Sequence, residues 1–214
     1  MKKILLLGDS IRLGYDTYVK NALQTVAEVY FPPENCAFAQ YTLRWVNEWK
    51  QKVGYPDDMD LVHWNVGLWD VLRILDDDTF TSPEYYGETL KRLHKRLRVL
   101  FPKAKQVFAL STSVVEELYE PPYQRRNADI ERFNKIAVET LSPLGVTIND
   151  LYSITKDAPS CCRSDMTHFY TTEGIRLIGQ RVLQEICTQL DIPSTEVNAV
   201  DVVIPKLTEK LVGR

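Results

Sequence analysis

The sequence predicts an α/β fold: a three-layer α/β/α sandwich around a five-stranded parallel sheet. Two observations carry that expectation. Apolar runs of strand length alternate about five times with longer stretches of helical periodicity, the pattern of helices crossing over a parallel sheet. The first run, Ile4 to Leu7, is unbroken and stops at Gly8, as a strand buried on both faces does. Composition agrees: 214 residues, 44% hydrophobic and 26% charged, suit one globular domain with a sizeable core.

Taken in order, the first strand runs straight into Gly8-Asp9-Ser10, which places Ser10 at a sheet edge and at the start of a helix. Asp16 to Ala27 reads as helix, with Val19, Leu23 and Val26 on one stripe. Glu28 to Phe31 is the second strand, closed by Pro32-Pro33, and a polar loop of small residues continues to Gln40. Thr42 to Val53 reads as helix and Leu61 to Val66 as the third strand, broken by Gly67. Asp70 to Phe80 is a loop. Ser82 then caps a helix that opens on Pro83 and runs to about Leu100. Its outer side is basic (Lys91, Arg92, Lys95, Arg96, Arg98), and His94 is expected to be exposed there.

Gln106 to Leu110 is the fourth strand, succeeded by a long polar loop to Arg126. Asn127 is the expected cap of a helix carrying Ile130, Phe133, Ile136 and Ala137 inward. Val146 to Leu151 is the fifth strand, and the loop from Ser153 to Thr171 holds Asp165 and His168. Thr172 and Glu173 open a last helix to about Leu190. Residues 1–190 are thus read as the domain, and 191–214 as a tail that packs on it or on a partner subunit; homo-oligomerisation is left open.

A net charge of −3 leaves no basic footprint for nucleic acid. No apolar stretch approaches the length of a membrane span. The run behind Lys2 and Lys3 ends after four residues, too short for a secretory core, so a cytoplasmic protein is expected. Cys36, Cys161, Cys162 and Cys187 show no Cys-x-x-Cys spacing and read as reduced thiols. No cofactor and no metal are expected.

In a parallel sheet the strand ends share one edge, so residues just beyond the different strands can converge. Ser10 lies just past the first strand, Gly67-Leu68-Trp69-Asp70 just past the third, and Asp165-Met166-Thr167-His168 beyond the fifth. A serine hydroxyl needs a base, histidine suits that role, and a carboxylate must orient its second nitrogen. Asp165 precedes His168 by three residues, so one turn can present both. The bland readings are an Asp165 that merely caps a helix and a Gly-Asp-Ser that is ordinary turn chemistry. His63, inside a strand, reads as a core residue.

Gly8-Asp9-Ser10-Ile11 resembles the first block of the GDSL/SGNH hydrolase superfamily. Asp165-Met166-Thr167-His168 is similar to its last block, and Asn65-Val66-Gly67-Leu68-Trp69-Asp70 to its third. The resemblance spans Lys2 to Leu190. It implies a flavodoxin-like sheet of order 2-1-3-4-5 and ester hydrolysis through an acyl-enzyme, with Ser10 as nucleophile, His168 as base and Asp165 as its orienting carboxylate. The chain departs from the pattern twice. Trp69 stands where the family has an oxyanion-binding asparagine, and the loop after the second strand holds no glycine, only Ala37 and Ala39. Asn65, which shares a strand face with Gly67, is the expected substitute donor, with Trp69 a wall of the acyl pocket. Asn65 read as a buried amide tying adjacent strands is the equal alternative.

The function expected is a serine esterase acting on small acyl esters, among them acetylated carbohydrates. Trp64, Trp69 and Tyr123 are sugar-stacking candidates and equally core candidates. A non-catalytic ligand-binding protein that kept the fold, and an acyltransferase using the same triad, are the alternatives.

Overall fold

The computed structural model describes residues 1–205. In chain order the strands are β1 (Lys2–Leu7), β2 (Ala27–Tyr30), β3 (Leu61–Trp64), β4 (Arg73–Ile74), β5 (Lys105–Ala109), β6 (Tyr123–Gln124) and β7 (Thr147–Asn149). The helices are α1 (Ser10–Ala22), α2 (Ala39–Val53), α3 (Pro83–Leu100), α4 (Asn127–Leu141), α5 (Tyr152–Lys156) and α6 (Thr172–Leu190). Five strands form one parallel sheet in the order β2-β1-β3-β5-β7, the expected 2-1-3-4-5 arrangement. Helix α1 packs on α6, and α3 packs between α2 and α4, so helices cover both faces of the sheet.

Strand β1 lies inside the sheet because its side chains have nowhere else to go. Ile4, Leu5, Leu6 and Leu7 are all buried, and each such burial is worth roughly 1.5–3 kcal/mol. The register sets Leu7 beside Trp64, Trp64 beside Phe108 and Ala109 beside Asn149. The ladder runs on past the strands, with Asn65 N–H on Leu7 O at 3.0 Å and Leu110 N–H on Asn149 O at 3.0 Å. Gly8, Asn65 and Ser111 therefore leave the sheet along one edge.

Helix α3 has the expected ends: Ser82 Oγ accepts the Tyr85 N–H at 3.3 Å, ahead of Pro83. Helix α1 is displaced from the expected 16–27 to Ser10–Ala22. Asp9 starts it, its carboxylate accepting the Ile11 N–H at 3.0 Å, and the buried stripe is Ile11, Tyr15, Val19 and Ala22. Gly14 weakens the helical signal there, yet a Cβ at that position would lie 2.8 Å from the Tyr170 ring. Downstream, Ala27 is taken by β2, beside Lys2.

Two further expectations are corrected, and one open reading is decided. His94 is buried, with Nδ1 3.1 Å from Gln106 Oε1. It extends the Leu90, Leu93, Leu97 stripe, whose apolar face is wider than one residue row. Asn127 does not cap α4: Arg126 holds the cap position, and the Asn127 amide pairs with both backbone groups of Val114 at 3.0 Å. Of the two readings of Trp64 the core one holds: it is fully buried in β3, its ring 4.7 Å from that of Phe108.

Strands β4 and β6 form an antiparallel ribbon that the sequence did not announce. Two-residue strands are too short to show alternation. The ribbon ties the loop after β3 to the loop after β5, and Arg73 anchors it to α4 through Asp129 at 2.8 Å.

Past α6, Asn198 N–H bonds Ala22 O at 2.8 Å, at the end of α1. The expected tail beyond 205 lies outside the described residues. The four cysteines are unpaired. Among the described residues, no helix is long and apolar enough to cross a membrane, and no cluster of three or more His, Cys, Asp or Glu side chains is placed to hold a metal ion.

Candidate active site

The site begins where the chain leaves β1. Gly8 sits so close to the neighbouring strand end that a Cβ there would lie 2.0 Å from Asn65 Oδ1. Asp9 comes next, fully buried. Its Oδ1 accepts from Ile11 N–H and, at 2.9 Å, from Asn65 Nδ2. Burial pushes the Asp9 carboxyl up, against these donors and the nearby charges of His168 and Arg125. The cap of Asp9 on α1 puts Ser10 in the first turn, where its backbone N–H has no acceptor among the described residues.

The second half comes from the loop before α6. Asp165 Oδ1 accepts the backbone N–H groups of Thr167 at 2.7 Å and His168 at 2.8 Å. That tight turn folds the His168 ring back, with Nδ1 2.9 Å from Asp165 Oδ2. Nε2 then lies 2.8 Å from Ser10 Oγ. The three residues named from sequence are brought together in the order hydroxyl, imidazole, carboxylate. Burial alone would raise Asp165, but the His168 ring and the two backbone N–H groups outweigh it and hold it at about 2.

Tyr170 completes the arrangement. Its ring stacks on His168 with centroids 4.7 Å apart and planes 20° apart, and its hydroxyl donates to the Ser10 carbonyl. The imidazole is thus held between its carboxylate and a ring anchored on the Ser10 backbone. Sequence reasoning missed Tyr170, because nothing local links it to a residue 160 positions away. Arg12 was missed as well. Its buried guanidinium binds Asp16 at 2.6 Å and the carbonyls of Pro32 and Glu34, clamping the loop after β2 against α1.

The candidates for the oxyanion are placed less uniformly. Ala39 N–H donates to the Asp70 carboxylate at 3.1 Å, and Ala37 N–H to Asn35 Oδ1 at 2.8 Å, so both amides are committed within the protein. Asp70 is a cap delivered from 31 residues away: Phe38 offers α2 no side-chain cap, and Asp70 takes that role with Thr81 Oγ1 at 2.8 Å. Burial pushes Asp70 up to about 7 despite these donors. The Asn65 amide is turned to Asp9 and stitches the ends of β1 and β3 together. The Gly67 N–H and the half-buried Trp69 indole N–H have no acceptor among the described residues.

These placements separate two substitutions. Asn65→Ala is expected to lower the melting temperature, because buried Asp9 loses one of two donors, a loss of about 1–3 kcal/mol. Trp69→Phe is expected to lower kcat with the melting temperature nearly kept. A kcat loss from Asn65→Ala with unchanged melting temperature would move the oxyanion role to Asn65.

A cleft of about 530 Å³ opens beside this site, lined by His168 and by Leu72, Tyr119, Pro122, Tyr123 and Met166. Tyr119 is tied to the histidine turn through its hydroxyl and Thr167 Oγ1 at 2.6 Å.

No protein-family model matches the chain, and no curated protein matches it by sequence. Solved structures do match. A lipase/acylhydrolase from Enterococcus faecalis superposes with TM-score 0.68 at 20% identity, over 88% of this chain and 97% of the other. A carbohydrate esterase of family 3 from Talaromyces cellulolyticus superposes with TM-score 0.66 at 16% identity, over 90% and 100%. A GDSL-like lipase from Bacteroides thetaiotaomicron superposes with TM-score 0.65 at 15% identity, over 87% and 88%. The fold is that of the GDSL/SGNH hydrolases.

Proposed function

We propose that the protein is a serine hydrolase that cleaves small acyl esters, O-acetyl groups on carbohydrates among them, through an acyl-enzyme on Ser10. The observation that carries this reading is the continuous chain of contacts from Ser10 Oγ to His168 Nε2 at 2.8 Å and from His168 Nδ1 to Asp165 at 2.9 Å. In this reading Nε2 takes the hydroxyl proton as Oγ bonds to the acyl carbon. The proton then passes to the leaving alkoxide as the ester C–O bond breaks. Water reverses the sequence and frees Ser10. The Ser10 and Gly67 N–H groups and the Trp69 indole are the donors left for the developing oxyanion. The carbohydrate part is supported by the Tyr119 and Tyr123 rings on the cleft. It is also supported by structural neighbours named acetyl xylan esterase and carbohydrate esterase. The unpaired cysteines support a cytoplasmic setting.

The test is turnover of 4-nitrophenyl acetate, with products analysed in the presence of an alcohol acceptor. Acetate as the main product is expected. Acetyl transfer to the alcohol would favour the transferase, and a folded protein without turnover the binding protein.

The pH profile is a second check. Asp165 is depressed to about 2 when folded, against about 3.9 for a free aspartate. Its contribution to stability is therefore present above the unfolded value and lost only as pH falls through about 2. Above pH about 4 the Asp165 carboxylate stays ionised, so Asp165 itself adds no step to kcat/KM near neutrality. The rate is expected to rise with pH in a single step and level off. A rate flat from mildly acidic to neutral pH with chemistry limiting, or loss of activity to a chelator with recovery on adding zinc, would contradict the triad.

A further inference from the structure

Arg125 stands at the cleft without a carboxylate. Arg12 and Arg73 each carry an aspartate, Asp16 and Asp129, and Arg163 spends its guanidinium on Ser113 and the Thr155 carbonyl. Arg125 instead uses Nε on the Leu68 carbonyl at 2.6 Å and Nη1 on the Tyr119 hydroxyl at 3.3 Å. Its Nη2 has no acceptor, and no ion pair reaches it among the described residues. It is half-buried and lines the same cleft as His168. The Tyr119 ring, 5.9 Å from its guanidinium carbon, and the nearby buried Asp9 offset part of its charge, and a half-buried cation gains further from an anion that reaches Nη2. Its two anchors hold the planar fork fixed, which suits it to a planar two-oxygen group.

His168 sets which half of the ester this cleft receives. The imidazole that returns a proton to the leaving oxygen faces the leaving group, and His168 is the triad member that lines this cleft. The cleft is therefore the place of the alcohol half of the ester.

We infer that Arg125 selects esters whose alcohol half carries a carboxylate, such as an acylated acidic sugar or hydroxy acid. This inference rests on the hydrolase reading above. Arg125 then binds the carboxylate while Ser10 attacks the acyl group. The walls formed by Tyr119, Pro122 and Tyr123 hold the body of the alcohol.

The test compares two near-isosteric substrates, 3-acetoxybenzoate and its neutral amide, 3-acetoxybenzamide. The native enzyme is expected to favour the anion in kcat/KM by about tenfold to a hundredfold, the worth of a charge-assisted hydrogen bond. Added salt should shrink that ratio. Arg125→Gln should bring it to about one through a higher KM for the anion, and Arg125→Lys should restore part of it. A native ratio near one, or an Arg125→Gln loss equal on both substrates, overturns the inference and leaves the hydrolase intact. If neither ester is turned over while 4-nitrophenyl acetate is, this inference falls alone; if none of the three is, the hydrolase reading falls with it. The native ratio and its salt dependence decide the matter even if the variants unfold.

Discussion

Ser10→Ala is expected to abolish ester turnover, and His168→Ala to lower it to a similar degree. By serine-protease precedent each loss is about six orders of magnitude in kcat, and the double variant loses little more than either single one. The reason is geometric. Ser10 Oγ and His168 Nε2 are 2.8 Å apart, so neither acts without the other. Steady-state kinetics with 4-nitrophenyl acetate on the two single variants and the double checks this. Losses that add in logarithmic rate would mean that the two residues do not share a proton. Folding is expected to survive Ser10→Ala, since α1 is capped by the side chain of Asp9 and not by that of Ser10.

Asp165→Asn is expected to cost about 10⁴ in kcat while the protein stays folded. An asparagine Oδ1 can still accept the Thr167 and His168 backbone N–H groups that shape the turn. Its amide nitrogen, however, donates to His168 Nδ1. That fixes the tautomer in which Nε2 carries the hydrogen and cannot take one from Ser10. The measurement is kcat alongside the melting temperature. Near-native activity would mean that a different carboxylate orients the imidazole. A collapse in melting temperature would assign Asp165 to the turn alone.

The features legible in the chain were the local ones. The run Ile4 to Leu7, the Ser82-Pro83 start of α3 and the Thr172–Leu190 helix all carry their signal within a few residues. Asp165 and His168 lie in one turn, so their pairing is visible as spacing. The elements that escaped depend on partners distant in sequence. Tyr170 needs Gly14 to make room and Ser10 to receive its hydroxyl. Asp70 caps a helix from 31 residues away, and in doing so takes up the Ala39 amide that the family pattern had suggested for the oxyanion. Asn65 had two readings because face alternation fixes direction and not partner; in the structure Asp9 is the partner. His94 was misread because its basic neighbours on α3 hide the width of the buried stripe. The β4–β6 ribbon, which shapes the cleft, is too short to have a period at all.

Ester hydrolysis by this protein requires that Ser10 be a nucleophile activated by His168. A fluorophosphonate reports that directly, because it bonds covalently to a serine oxygen whose proton has a base to go to. The folded protein is labelled, digested and mapped by mass spectrometry, beside His168→Ala and protein denatured before labelling. One adduct is expected, on the peptide holding Gly8-Asp9-Ser10 and at Ser10 itself, absent from both controls. A folded protein that takes no label, or takes it on a serine other than Ser10, would contradict the proposed role of Ser10.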